Sequence, residues 1–368
     1  MTVQRCEQAI AHLFHDTVNK DKALQNAYLR VYSPSMGLQV DLAAGHAQDS
    51  KLHPQQPNYW ASVGKLFTAT LVAMLVEEER LSFDDPIAAY LDAELVEGLH
   101  RYRGVDYSQR IQIRQLLNQT SGLPDNFWPL MQRVLQEPDF TISPRQAIQW
   151  TKSHALPKCA PGAGFQYTDT NYHLLGLIVE AVTGLPFHAV LQQRLFAPLG
   201  MQHSWMLHYS QPAQPSPYPM AGFFLEHTRL NDHQGYAGLD YAGGGVVGPS
   251  NDLLRFMQAL VNHRLVSRAT LERMKSDKAR FGLGIDYGYG IWQFKAIPLL
   301  LPRKLQCWGV VGASGAFLFY HPALDAYLIG NFNDARYQSK GVRFMLKAVN
   351  LLNKQRPVPA RPEARESA

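Results

Sequence analysis

Apolar residues recur at helical intervals through 4–22, among Arg5, Glu7, His12, His15, Asp16 and Lys20, and predict an opening amphipathic helix. Two alternating runs follow, Ala27–Ser33 and Leu38–Leu42, on either side of Pro34-Ser35-Met36-Gly37. A period of two around a Pro/Gly turn predicts a β-hairpin. From residue 62 to about 275 the helical period takes over, punctuated by glycine and proline. Pro212, Pro215, Pro217 and Pro219 make 209–221 an irregular loop. Strand character returns late, at Gly284–Phe294, and then in Ala316–Tyr320 and Ala326–Phe332 around the turn-like His321–Asp325. Strands at both ends with helices between predict an α/β (α+β) fold. One antiparallel sheet is built from both termini, with flanking helices and an inserted, mainly helical lobe. The expected boundaries are a single catalytic domain over 1–352 and a flexible tail over 353–368. Within the domain, 1–60 and 281–352 form the sheet lobe and 61–280 the helical lobe.

Composition narrows the function. An apolar share of 46% and a charged share of 18% are those of a globular chain with a sizeable core. The net charge of +5 raises nucleic acid as a partner. Lys354, Arg356, Arg361 and Arg365 against Glu363 and Glu366 put +2 of it in the tail. The rest carries no basic stripe or nucleic-acid-reading motif, so no nucleic-acid partner is expected. Cys6, Cys159 and Cys307 are far apart and odd in number, which suggests neither a zinc site nor a disulfide framework. Free thiols suit a reducing compartment. The first 22 residues lack the uninterrupted apolar core of a signal peptide. The most apolar run, Leu66–Val76, falls short of the roughly 20 residues a membrane span requires. A cytoplasmic location follows as the expectation.

The candidate chemistry begins at Asn58-Tyr59-Trp60-Ala61-Ser62-Val63-Gly64-Lys65, which leads straight into an apolar helix. A spacing of three puts Ser62 and Lys65 on one helical face. The N-terminal turn, with its free N–H groups and dipole, favours negative charge on a serine oxygen. Ser-x-x-Lys is common by chance, with serine as a cap and lysine in water, so the surroundings must decide.

They do so through a resemblance. Trp60–Leu91 resembles the nucleophile helix of class C β-lactamases, their esterase relatives and DD-peptidases. Ile111–Pro124, Pro161–Phe187, Ala242–Leu260 and Gly309–Pro322 resemble that family's further signature stretches, in the same order. The similarity to this serine β-lactamase and penicillin-binding-protein family spans about 27–335. It implies a Ser62 nucleophile, Lys65 as its activating partner and Tyr167 as the proton-handling phenol. The backbone N–H groups of Ser62 and Ala313 would hold the oxyanion. A phenol is a weak base unless a cation stabilises its phenolate, and Lys65 could supply that charge.

Two departures from the family pattern bear on substrate. Asp169 stands where the Tyr-x-Asn motif has asparagine. It either pairs with Lys65 or caps the helix beginning near Asn171. In place of Lys-Thr-Gly or His-Thr-Gly stands Gly309-Val310-Val311-Gly312, without the cation and hydroxyl that would grip a substrate carboxylate. Penicillins carry that carboxylate, so a neutral ester, amide or short peptide is the expected substrate. Val310, Val311, Gly312, Trp60, Phe127 and Trp128 are candidates for its pocket. The expectation is a serine hydrolase working through a Ser62 acyl-enzyme. An acyltransferase with the same chemistry and a silent binding or scaffold protein are the alternatives. No cofactor or metal is implied.

Other patterns are set aside. Gly243, Gly245 and Gly248 satisfy G-x-G-x-x-G, but no apolar strand precedes them, and Ser250 reads as the cap of the next helix. Gly312–Ala316 lacks the last glycine of a nucleophile elbow. His12 and His15 share a helix face with no evident third ligand.

Overall fold

The computed structural model describes residues 3–46, 52–137, 139–225, 227–298 and 301–354. Ala27–Ser33 (β1) and Leu38–Ala44 (β2) pair antiparallel in the register Val31–Val40. Their turn is a 3-10 segment, Pro34–Met36, closed by Gly37 at φ 62°, a left-handed value that glycine adopts without a Cβ penalty. The late strands are Ala279–Gly282 (β3), Ile285–Tyr287 (β4), Trp292–Phe294 (β5), Trp308–Val311 (β6), Phe317–His321 (β7) and Ala326–Asn331 (β8). The sheet runs β3-β4-β5-β6-β7-β8-β1-β2, antiparallel throughout. The first hairpin is thus hydrogen-bonded to the last strand, Val31 opposite Leu328.

The alternation along these strands serves two cores. Phe317, Phe319, Ala326 and Leu328 face one cluster, while Leu318, Tyr327 and Ile329 face the other. A sheet covered on both faces has no polar side to show, which is why β8 is buried at every position. The first cluster is closed by Val3–Asn19 (α1) and Gln338–Asn353 (α5). Helix α1 turns Cys6, Ile10, Phe14 and Val18 inward at intervals of four. Phe14 meets Phe344 edge-on at 6.2 Å. The second cluster is centred on Gly64–Glu77 (α2), Thr170–Thr183 (α3) and Ser250–Val261 (α4). Helix α2 is apolar all round because it is buried all round, from Gly64 to Ala73 without a break. Among the described residues no single helix is long and apolar enough to cross a membrane.

Several expectations shift in detail. Gly284–Phe294 is two strands, since Gly288 N–H donates to the Ile291 carbonyl and turns the chain. Val246–Gly248, within the glycine-rich stretch, is a short strand paired on both sides, with Asn58–Tyr59 and Trp205–Met206. Ser250 does not cap α4; Pro249 holds the cap position and no side chain bonds there. His12 lies 3.3 Å from Asp16. The tail expected from 353 begins as the last residue of α5, and from 355 it lies outside the described residues.

Candidate active site

Ser62 sits in a 3-10 turn, Ala61–Val63, that runs directly into α2. Two neighbours fix that turn. Trp60 N–H donates to the Val246 carbonyl at 3.0 Å, and the Asn331 amide from the end of β8 donates to Tyr59 O at 2.7 Å. Ala61 takes φ 48°, a left-handed conformation that costs a non-glycine residue on the order of 1 kcal/mol. The strain holds Ser62 half-exposed on an otherwise buried turn.

One turn on, Lys65 is fully buried. Its ammonium donates to Ser62 Oγ at 3.1 Å, to the Gly243 carbonyl at 2.8 Å, and to Asp169 Oδ1 as an ion pair. The three acceptors come from the turn before α2, the glycine-rich turn and the head of α3. Asp169 occupies the cap position of α3, yet its side chain makes no capping bond and turns to Lys65. Of the two roles weighed for it, the structure shows the lysine partner. The glycines of 243–245 serve close approach: a Cβ on Gly64 would overlap the Gly244 carbonyl, and one on Gly243 would crowd Asp169 and Lys65.

Tyr167 completes the cluster. It lines the same cleft as Ser62, and its ring lies 5.1 Å from Lys65 Nζ. Burial raises the phenol well above its ordinary pKa, and the Asp169 charge adds to this. Lys65 is committed to Asp169, and Tyr167 rests as the neutral phenol.

A cleft of about 360 Å³ opens over this cluster, lined by Ser62, Tyr167, Asp169, Phe127, Trp128, Val311 and Ala313 among others. Of the expected pocket residues, Phe127, Trp128 and Val311 line it; Val310, Gly312 and Trp60 do not. Val310, 1% exposed, points to the opposite core. Trp60 is fully buried, and its indole N–H donates to Gly248 O at 2.8 Å. Gly312 packs its backbone against Trp60 and Ala61, where a Cβ would collide with Trp60 O. Neither the Ser62 nor the Ala313 N–H has an acceptor among the described residues. A larger polar hollow, about 550 Å³ between Arg30, His53, Tyr218 and Arg255, contains none of these groups.

Sequence reasoning missed two carboxyl groups in the cleft, Asp125 and Asp240. Asp125 follows the Ile111–Pro124 stretch directly, and its Oδ1 accepts the Asp169 N–H at 3.0 Å. Burial and the neighbouring Asp169 charge push it up to about 6. Asp240 ends the helix Gly235–Asp240 and is 3% exposed. Its Oδ2 accepts the Tyr59 hydroxyl and the Gly245 N–H, the latter at 2.8 Å. Burial pushes it up to about 7. Adjacency to the signature stretches was the only sequence signal for either.

Comparison with known proteins agrees with this architecture. The beta-lactamase family model matches residues 17–350, and the chain belongs to that family. Within it, the chain is 26% identical over 342 residues to penicillin-binding protein 4* of Bacillus subtilis, covering 86% of this chain and 70% of that protein. It is 26% identical over 241 residues to the putative penicillin-binding protein PbpX of the same species, spanning 65% of this chain and 54% of that protein. With a D-aminopeptidase of Brucella anthropi it shares 30% identity over 146 residues, 40% of this chain and 25% of the relative. D-amino acid amidase from Ochrobactrum anthropi, in complex with D-phenylalanine, superposes with TM-score 0.77 at 20% identity, covering 96% of this chain and all of that one. A D-stereospecific amidohydrolase from Streptomyces gives 0.74 at 23%, covering 93% and 98%.

Proposed function

We propose that the chain is a serine amide hydrolase that works through an ester on Ser62. The observation that carries this reading is the meeting of the Lys65 ammonium, which donates to Ser62 Oγ, with the Tyr167 phenol at one cleft. Ser62 Oγ bonds to the substrate carbonyl carbon, and its proton passes to the Tyr167 oxygen. The phenol gives its own proton to the leaving nitrogen as the C–N bond breaks. Such a relay needs no resting phenolate, which suits a phenol that burial keeps neutral. Water then attacks the ester, and the same protons return in reverse. The Lys65–Asp169 pair acts as fixed charge beside the serine oxygen. The N–H groups of Ser62 and Ala313 receive the oxyanion, a contribution of about 3 kcal/mol per donor in comparable sites.

Substrate preference follows from the lining. Among the described residues it holds three carboxyl groups and no basic side chain, which opposes a substrate carboxylate next to the scissile bond. This supports an amide rather than a β-lactam, in keeping with the amidase and aminopeptidase names of the relatives. We take 1–352 as one catalytic unit, and the three free thiols support a reducing, cytoplasmic setting. The test is intact mass after incubation with a fluorophosphonate, alongside hydrolysis of amino-acid p-nitroanilides and p-nitrophenyl esters. A single adduct absent from Ser62→Ala is expected. Equal inertness of both proteins towards every acyl donor would overturn the assignment.

A further inference from the structure

The lining of the Ser62 cleft has an unbalanced charge. Lys65 neutralises Asp169 from behind the wall, and both partners are at least nine-tenths buried. Asp125 and Asp240 face the same cleft with no cation of their own among the described residues. Their surroundings differ. Asp125 is supplied with donors from the N–H groups of Asp169 and Phe127. Asp240, 3% exposed, places both of its hydrogen bonds on Oδ2, and Oδ1 has no partner among the described residues although the side chain lines the cleft. A buried carboxylate with an open oxygen and no counter-charge is an arrangement that a cationic ligand completes.

Resting on the amide-hydrolase reading, we infer that Asp240 is the specificity residue of this cleft. Its Oδ1 receives the protonated free amine of the substrate's acyl part, and Asp125 adds a second negative charge. The substrate class is then an α-amino amide with an unblocked amine.

Binding is also linked to protons. The groups that face Asp240 are the Tyr59 and Tyr236 hydroxyls and the Gly245 N–H, with Asp125, Asp169 and Tyr167 across the cleft and Lys65 behind it. None of them except the paired Lys65 offers positive charge, so Asp240 holds its proton up to about 7. An arriving ammonium displaces that proton. Affinity therefore rises as pH climbs through about 7, and falls again once the ligand's own α-amino group, with an ordinary pKa of about 7.7–8.0, loses its charge.

The experiment is calorimetric titration of Ser62→Ala, which cannot turn over, with both enantiomers of phenylalaninamide and with N-acetylphenylalaninamide. At pH 7.5 the N-acetyl compound should bind at least tenfold more weakly than the better free-amine enantiomer. At pH 6.5 free-amine binding should release protons, read from the difference between two buffers of unlike ionisation enthalpy. Adding Asp240→Asn keeps acceptors for Tyr59 and Gly245 and should erase the free-amine advantage and the proton release; Asp125→Asn should reduce both. Equal binding of free and acetylated ligands by the Ser62→Ala protein overturns the inference without any further variant. So does retention of the full advantage in the folded Asp240→Asn protein. Fluorophosphonate labelling of the wild type reads the hydrolase assignment separately. Amine-selective binding without an adduct sinks the chemistry and leaves the cation site standing, and an adduct without amine selectivity does the reverse.

Discussion

Replacing Lys65 by methionine removes the ammonium that Asp169 pairs with while keeping most of the buried volume. Asp169, 6% exposed, is left ionised beside Asp125 with no cation in reach. Breaking one side of a buried ion pair costs about 3–5 kcal/mol, chiefly because the surviving charge has lost its compensation. Against a total stability on the order of 5–15 kcal/mol that is a large fraction. The double change Lys65→Met with Asp169→Asn removes the orphaned charge and should recover at least half of the loss. Equilibrium urea unfolding at pH 7.5 reads both from the midpoint at a common slope. A Lys65→Met protein within about 1 kcal/mol of wild type, or a double variant no more stable than the single one, would refute the reasoning.

Two further outcomes follow from the same groups. Burial lifts Asp240 to about 7 from an ordinary value of 3.8, so its contribution to stability is complete below about pH 4 and is lost as pH rises through about 7. Wild type should lose on the order of a few kcal/mol between pH 5 and 8 that Asp240→Asn does not, measured by urea midpoints across that range; parallel profiles would contradict it. Gly64→Ala places a methyl group against the Gly244 carbonyl and displaces the turn whose Gly243 carbonyl holds Lys65. Anilide turnover should fall roughly 100-fold in kcat/KM with the far-UV circular dichroism retained, and an unchanged kcat/KM would show that the turn does not position the lysine.

Legibility in the sequence varied with the range of the interaction. The hairpin β1–β2, the paired β7 and β8 and the buried α2 could be read because their patterns are local and regular. The approach of Ser62, Lys65 and Tyr167 could be expected only through the resemblance, since Tyr167 lies about a hundred residues from Lys65. Asp240 was missed because its environment is tertiary, a tyrosine from before α2 and an N–H from the following turn. Trp60 was misplaced for a related reason. Adjacency to a nucleophile suggests a pocket wall, but the 3-10 turn points its indole inward to Gly248. Strand alternation could not separate Val310 from Val311 either, because both faces of the sheet are buried and only one reaches the cleft.

The pairing of β1 with β8 has a consequence for biogenesis. A chain emerging from the ribosome presents the first hairpin with its inner edge bare until some three hundred further residues have been made, so that edge must be kept from foreign strands throughout synthesis. The helices between can gather around α2 in the meantime. The strands of 279–331 then dock, and Asn331, at the end of β8, reaches across to donate to the Tyr59 carbonyl. The turn that carries Ser62 is tightened only once Asn331 has been made, and a product that stops before it would carry that serine without its brace.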